Sequence, residues 1–184
     1  RLTGDSAGYG QIVPLQPVEH DDVRLMWHAA IGAIAAPFTP FFLGVTSVPV
    51  EFARHRYLTT GEDAAFIDRD PASDEPKSVV GQRTEASRSA VYVFKRLLYL
   101  LAEHHETFLP EVTPVWEALE RELATEVPEV VDTALLLIAN GQQAAAAKYL
   151  TRYCAAQAVR GLDVGEAMVN SMEARSRILF GLRD

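Results

Sequence analysis

The spacing of hydrophobic positions changes along the chain. In the first third they form short runs or alternate with polar residues, as at 23–28, and from residue 90 onward they recur at three- and four-residue steps. Alternation with a period of two is typical of strands, and a period near 3.6 is typical of helices. Because the two patterns occupy separate parts of the chain, the sequence predicts an α+β fold rather than alternating βαβ units.

Two strands are predicted near the start of the chain. The apolar run at 9–15 and the alternating segment at 23–28 are separated by polar turn residues at 19–22. This arrangement predicts an antiparallel pair of strands. The next segment, 29–36, is apolar on both faces, which is typical of a strand buried between two layers and is also compatible with a short buried helix.

Two segments of contrasting character follow. Residues 37–50 are apolar but contain three prolines, which argue against a helix or a central strand, so an ordered, packed loop is expected. Residues 61–82 are rich in Asp and Glu and contain two prolines, and an exposed connector is expected there. The chain is therefore predicted to be a single packing unit with strands and an apolar loop at 1–60 and a helical layer at 83–184.

About five helices are predicted in the helical layer. The first carries an apolar stripe that includes Ala90, Phe94, Leu97 and Leu101. Prolines, glycines and capping residues then suggest where each helix ends and the next begins. The expected boundaries are His104 or His105, Thr113 with Pro114, Pro128, Asn140 with Gly141, and Gly161 before Asp163.

Composition and charge narrow the classes of function. Hydrophobic residues make up 48% of the 184 residues and charged residues 23%, as in an ordinary packed protein. Seventeen Lys and Arg against 25 Asp and Glu give a formal charge of −8. Such a chain lacks the basic field that binds nucleic acid or anionic membranes, and no unbroken apolar run is long enough to span a bilayer. Neither nucleic acid nor a membrane is therefore expected as a partner.

Cys154 is the only cysteine, so neither an intrachain disulfide nor a thiolate zinc cluster can form. This composition favours a reducing compartment such as the cytoplasm. Cys154 lies within an alanine-rich helical segment without a glycine-framed turn, so it is expected to be a small buried residue rather than a nucleophile. The glycine patterns of phosphate-binding loops and serine hydrolase elbows are also absent.

The densest group of potential metal ligands is Glu103, His104, His105 and Glu106. On a helix only Glu103 and Glu106 share a face, because adjacent histidines point about 100° apart. A solvated helix end is therefore predicted, with no metal or other cofactor. A metal-dependent enzyme that uses these residues is kept as a third alternative.

Two groups of side chains are candidates for binding a substrate. One is a set of phenylalanines beside the prolines, and the other is the only local concentration of positive charge, where Arg could hold a substrate carboxylate through paired donors. In the alternative, the phenylalanines pack as core or lid and the arginines pair with the acidic connector. The candidate residues are Phe38, Phe41, Phe42, Arg54, His55 and Arg56.

A distributed pattern points to a family. Its parts are a strand at 11–15, a Trp-bearing strand at 25–32, a Pro- and Phe-rich loop at 37–45 with Val48 and Pro49, and helical segments at 89–97 and 148–153. This order resembles the C-terminal half of the dipeptidases of peptidase family C69, which are cysteine N-terminal-nucleophile (Ntn) hydrolases. The resemblance extends over most of the 184 residues but includes no signature motif.

The resemblance implies part of an αββα sandwich and an amide-bond hydrolase. In that family the thiol of an N-terminal Cys attacks the carbonyl and its own α-amino group serves as base. The present chain begins with Arg1, so the nucleophile has no matching position and no catalytic residue is assigned. The resemblance implies that this chain is a fragment or a processed subunit, which acts on a small amide or peptide only together with a second polypeptide that bears the nucleophile.

The alternative from another class is a helical module that binds a ligand or a protein and catalyses nothing. The two interpretations differ in what they expect of the early strands. The hydrolase interpretation expects unpaired strand edges and an uncovered apolar face, whereas a self-contained module satisfies its strands internally.

Overall fold

The computed structural model describes residues 9–53, 65–69, 76–81 and 89–181. Strands and short helices come first and three long helices follow, so the predicted α+β class is confirmed. A 3₁₀ turn at Asp21–Val23 precedes the second strand. The elements are β1 Gly10–Ile12, β2 Leu25–Ala29, α1 Gly32–Ala35, β3 Thr39–Phe42, α2 Val50–Ala53, β4 Ala65–Arg69, β5 Pro76–Gly81, α3 Ala90–Glu103, α4 His105–Ala139 and α5 Gln143–Phe180.

The first three strands form an antiparallel sheet in the order β1-β2-β3. Gln11 lies opposite His28 in the first pair, and Met26 lies opposite Phe41 in the second. The predicted pairing of the first two strands is thus confirmed. Of the two alternatives for residues 29–36, the short helix is correct, because α1 follows β2 directly.

The segment expected to be a loop contains β3. The prediction of a loop is therefore wrong for residues 39–42, although the strand is not a central one. Pro40 is accommodated because β3 is an edge strand of the three-stranded sheet, where a missing N–H does not interrupt a ladder on both sides. Helix α5 packs beside this strand, and the side-chain hydroxyl of Thr151 accepts a hydrogen bond of 3.0 Å from the N–H of Thr46.

The acidic segment 61–82 contains a β-hairpin, which the expectation of a simple connector did not include. Strands β4 and β5 pair antiparallel, with Ile67 opposite Val79. The β-prone residues of these strands are enough for pairing, even though β4 contains Asp68 and β5 begins with Pro76.

Three prolines lie inside the single helix α4, at positions 110, 114 and 128. The predicted helix boundaries at Thr113 and Pro128 are therefore wrong. All three prolines are exposed and fall on one side of the helix, given its 100° turn per residue. The carbonyl groups that lose an intrahelical partner consequently face the solvent side, where water can bond to them and the helix can bend gently.

The last helix, α5, also runs through a predicted break, at Gly161. Gly161 and Gly165 are buried in its interior, where neighbouring elements come too close for a larger residue. A Cβ atom at position 161 would lie 3.0 Å from Cγ of Pro37, and one at position 165 would lie 2.8 Å from Cε1 of Phe94. These glycines therefore serve close packing and do not terminate the helix.

Helices α4 and α5 form an antiparallel hairpin, each about 50–57 Å long at 1.5 Å per residue. The turn between them is at the predicted place, because Gly141 has φ +72° and hydrogen bonds join it and Gln142 to the last turn of α4. Two bidentate ion pairs link the helices along their length, from Arg160 to Glu122 and from Arg175 to Glu111.

The core has two buried clusters. The first lies where the three long helices and α1 meet, and it includes Phe94, Phe108 and Trp116. The second lies between the sheet and the α4–α5 turn region, and it includes Phe42 and Cys154. Within the part of the chain that the structure describes, each helix is too short or too polar to cross a bilayer.

Candidate functional site

A cavity of about 390 Å³ lies on one face of the three-stranded sheet. All three strands contribute to its wall, and the segment before α2, α2 itself and the start of α3 complete it. We call it the sheet-face cavity. Its lining residues are Tyr9, Gln11, Met26, His28, Ala30, Phe41, Val48, Phe52, Ala90 and Val91.

The alternation of β2 positions the key side chains of this cavity. Successive side chains of a strand point to opposite faces, so Met26 and His28 share one face and Leu25 and Trp27 share the other. Met26 and His28 line the sheet-face cavity, whereas Leu25 and Trp27 pack against the core clusters. One face of β2 therefore belongs to the packed core, and the other belongs to the wall of the cavity.

Among the described residues that line the cavity, His28 alone carries an imidazole, and its environment is unusual. The ring lies between those of Tyr9 and Phe41, and the distance between ring centroids is 6.1 Å in both pairs. The backbone carbonyl oxygen of His28 accepts a hydrogen bond of 3.2 Å from the hydroxyl of Thr39. Nδ1 is buried and has no hydrogen-bond partner among the described residues. Burial lowers the pKa of His28 below its ordinary value of 6.5, because desolvation disfavours the charged ring. The imidazole is therefore neutral at pH 7.

The three candidate phenylalanines occupy different places. Phe41 lines the sheet-face cavity. Phe38 packs against the first core cluster, and its N–H donates a 2.9 Å hydrogen bond to Oε1 of Glu120 in α4. Phe42 is 3% exposed in the second cluster, at 6.5 Å from the ring of Tyr153. The structure thus brings one of the three to the cavity and gives the other two packing roles.

The other candidates for substrate binding, Arg54, His55 and Arg56, lie outside the described residues. Their prediction as a carboxylate-binding group therefore stays a prediction.

The predicted end of a helix near His104 is confirmed, because α3 stops at Glu103 and α4 starts at His105. The ring of His104 is stacked on Phe180 at 3.8 Å, and its Nε2 lies 3.2 Å from the hydroxyl of Ser176. His104 therefore packs the helix junction against the end of α5. Among the residues that the structure describes, no three His, Cys, Asp or Glu side chains are grouped to hold a metal ion.

Cys154 is buried, as predicted, with 1% of its surface exposed. Burial raises the pKa of its thiol to about 11, although a backbone hydrogen bond from Phe42 opposes the shift. Because the thiolate is the reactive form, this residue is unsuited to nucleophilic attack.

His28 was not among the residues that the sequence singled out. A weak signal was present, because a polar residue follows Trp27 on an otherwise apolar strand. The period-two pattern places it on the face of Met26, but whether that face meets solvent, core or a cavity depends on α2 and α3. Glu120 was also missed, since an acidic residue on a helix is ordinarily exposed.

Comparisons with protein-family models, with curated proteins and with solved structures find no match to this chain, so they indicate no family.

Proposed function

We propose that this chain is the noncatalytic part of an amide-bond hydrolase of the Ntn type, and that it completes the sheet and part of the substrate wall. A second polypeptide segment supplies the nucleophile. Within that assembly the three-stranded sheet is one portion of an αββα sandwich. The substrate is a small amide or a short peptide.

The outer edge of β1 carries this proposal. Among the described residues β1 pairs only with β2, so its other edge is open for a further strand. Large apolar side chains around this edge are exposed, which is unfavourable in an isolated protein and typical of a surface that another element covers. These residues, with their exposed fractions, are Tyr9 62%, Ile12 53%, Val13 46%, Leu15 91% and Val18 37%.

The segments of the family resemblance are also neighbours in space. The Trp-bearing strand and the Pro- and Phe-rich segment pair as β2 and β3, with Trp27 opposite Pro40. Phe41 of the same segment contributes to the sheet-face cavity, which is close to the open edge through Tyr9 and Gln11. A substrate wall beside a completed sheet would therefore be built from these strands.

The chemistry of the described residues supports a noncatalytic role. The buried thiol of Cys154 is a poor nucleophile, and it packs in the second core cluster, away from the lining of the sheet-face cavity. An attacking group from a second segment is consistent with this arrangement.

The proposal is tested by purifying the native assembly and determining its intact mass and the N-terminal sequence of every chain. We expect a partner chain that begins with Cys, Ser or Thr, and hydrolysis of dipeptides that stops when this terminal residue is blocked. A stable monomer without amidase activity would contradict the proposal.

Variants of the open edge make the test specific. Ile12→Lys places a charge beside β1 and should weaken association with the partner chain. Leu136→Lys is the matched control, because Leu136 is 65% exposed on α4, near the helical turn, and should leave association unchanged. Equal effects of the two substitutions would argue against an interface at β1.

A second function, a binding module without catalysis, is favoured by the cavity itself. A largely apolar cavity with a few polar side chains in its lining, here Tyr9, Gln11 and His28, is typical of a small-molecule site. In this case a ligand would raise the melting temperature of the chain, and no product would form.

A further inference from the structure

We infer that two copies of this chain, when no other partner is present, pair antiparallel through the outer edges of their β1 strands. The two three-stranded sheets then join into one sheet of six strands. A regulatory consequence rests on the proposed function: a chain that is paired with a second copy cannot take up a strand of the nucleophile-bearing chain at the same edge.

The outer edge of β1 offers its backbone groups to an extended partner. Among the described residues β1 pairs with β2 alone, so the N–H and C=O groups on its other side are available to one more strand. The helix-facing side of this edge is open as well. Ile12 lies opposite Trp27, which packs on the core side of the sheet, and Ile12 is nevertheless 53% exposed.

The residues along this edge are complementary to themselves in one antiparallel register. With a twofold axis at Gln11, residues 9–13 of one copy run opposite residues 13–9 of the other. Every contact on one side of the axis is then repeated on the other side, as an interface between identical subunits requires. Pro14, which has no N–H to donate, falls outside the five paired residues.

On the helix-facing side, this register places Ile12 of one copy beside Gly10 of the other. Gly10 has no side chain, and the ring of Phe38 reaches across the sheet to it: a Cβ atom at position 10 would lie 3.1 Å from Cζ of Phe38. The isoleucine of the second copy therefore packs beside the edge of this ring. Each copy thereby removes exposed apolar surface from water, which favours association.

On the other side of the sheet, Tyr9 lies beside Val13 of the second copy. The two side chains are 62% and 46% exposed in a single copy. An aromatic residue opposite a β-branched one is a favourable cross-strand pair. The two Gln11 side chains meet at the axis, where one carboxamide donates to the other. Because Tyr9 and Gln11 line the sheet-face cavity, the second copy also extends the rim of that cavity.

Sedimentation velocity on the full chain, expressed without any other polypeptide, tests the homodimer. We expect reversible dimers at chain concentrations up to about 1 mM, the weak end of the affinity scale. Ile12→Lys should weaken the dimer about tenfold or more, because it places a charge at the paired edge of each copy. Ile178→Lys is the matched control, since Ile178 is 82% exposed at the end of α5, and it should leave the dimer unchanged. A chain that stays monomeric over this range, or equal effects of the two substitutions, overturns the inference.

Single cysteines in a Cys154→Ala background test the register. In this pairing the two copies of residue 11 lie directly opposite each other, with Cα atoms about 4.5–5.5 Å apart, which a disulfide can bridge. The two copies of residue 12 are diagonal neighbours at about 7–8 Å, beyond the reach of a disulfide. We expect rapid intermolecular crosslinking of Gln11→Cys under mild oxidation, and little of Ile12→Cys. The reverse result, or crosslinking of neither folded variant, overturns the inference. Circular dichroism shows whether each variant folds, and the sedimentation result on the parent chain needs no variant.

Failure of this inference and failure of the proposed function have different signatures. A chain that is monomeric alone but co-purifies with a nucleophile-bearing chain overturns the homodimer and leaves the hydrolase proposal in place. A homodimer crosslinked through residue 11, in a native preparation that contains no such chain, does the opposite. Where both chains are present, the nucleophile-bearing chain should suppress the Gln11→Cys crosslink, and a crosslink that persists in the assembly would overturn the competition for one edge.

Discussion

Gly165 of α5 lies directly against the ring of Phe94 in α3, so closely that a Cβ atom at position 165 would be 2.8 Å from Cε1. Phe94 is 2% exposed and packs edge-to-face on Trp116 of α4, at 6.3 Å between ring centroids. The ring therefore has little room to move aside. This contact fixes how closely two of the three long helices approach.

We predict that Gly165→Ala destabilises the protein. Alanine improves helix propensity by about 1 kcal/mol, but forcing a methyl group into a packed core costs about 1–3 kcal/mol. The expected net loss is up to about 2 kcal/mol in the free energy of unfolding, measured by denaturant titration. Ser171→Ala on an exposed position of the same helix is the control and should be neutral or slightly stabilising.

A double variant checks the cause. Phe94→Leu removes the ring that the new methyl group meets, so Gly165→Ala should cost less in that background than in the parent chain. Strict additivity of the two substitutions would show that the destabilisation arises elsewhere.

The same contact illustrates what the sequence could and could not predict. Periodicity located the strand pair and the apolar stripe of α3, since residues such as Phe94 and Leu101 recur at helical spacing and are buried. It also located the turn at Gly141, because a left-handed residue at a helix end follows local rules. The α+β class could therefore be predicted from local patterns.

The helix ends predicted at Pro114, Pro128 and Gly161 were wrong, because packing decides whether a helix continues through such a residue. A glycine inside a helical pattern indicates either an end or a close approach, and the proximity of Pro37 to Gly161 decides between them. Prolines likewise end a helix or are tolerated on its solvent side, as Pro128 is. The sheet-face cavity could not be predicted from the sequence for the same reason. Its lining residues His28, Phe52 and Ala90 come together only when elements distant in the chain pack.

Glu120 offers a prediction about a half-buried carboxylate. Desolvation raises its pKa above the ordinary value of 4.5, although the hydrogen bond from Phe38 opposes this shift. A raised pKa in the folded state means that ionisation of Glu120 disfavours folding, so its contribution to stability is present below pH 4.5 and is lost as the pH rises through the folded pKa. We predict that Glu120→Gln is more stable than the parent chain at pH 7 and that the difference shrinks toward pH 4.

The Gln side chain keeps an oxygen that accepts from the N–H of Phe38, whereas Glu120→Ala leaves that donor without its partner. We expect the alanine variant to lose about 1–2 kcal/mol of unfolding free energy, as for a buried donor left unsatisfied. Glu129→Gln, at an exposed position of the same helix, should have little effect at either pH. Equal stability of the Gln and Ala variants at pH 7 would remove the proposed role of the Phe38 hydrogen bond.

Cys154 provides a test of the buried thiol. With a pKa of about 11 and almost no exposure, it should not react with a disulfide reagent at pH 8 while the protein is folded. One thiol per chain should react after unfolding in guanidinium chloride. Ser171→Cys in a Cys154→Ala background is the comparison, and its exposed thiol should react in the folded state. Fast labelling of native Cys154 would contradict the packing of the second core cluster.

The final prediction concerns pH and His28. Because burial lowers its pKa in the folded state, the unfolded chain binds a proton more readily, and stability must fall as the pH drops below the ordinary value of 6.5 toward the folded pKa. We predict that His28→Gln loses less unfolding free energy between pH 7.5 and pH 5 than the parent chain does. Denaturant titrations at several pH values measure the difference, with His105→Gln, at an exposed position, as the control. Parallel curves for the parent chain and His28→Gln would mean that the His28 ring is hydrated in the folded state, which would contradict its burial between Tyr9 and Phe41.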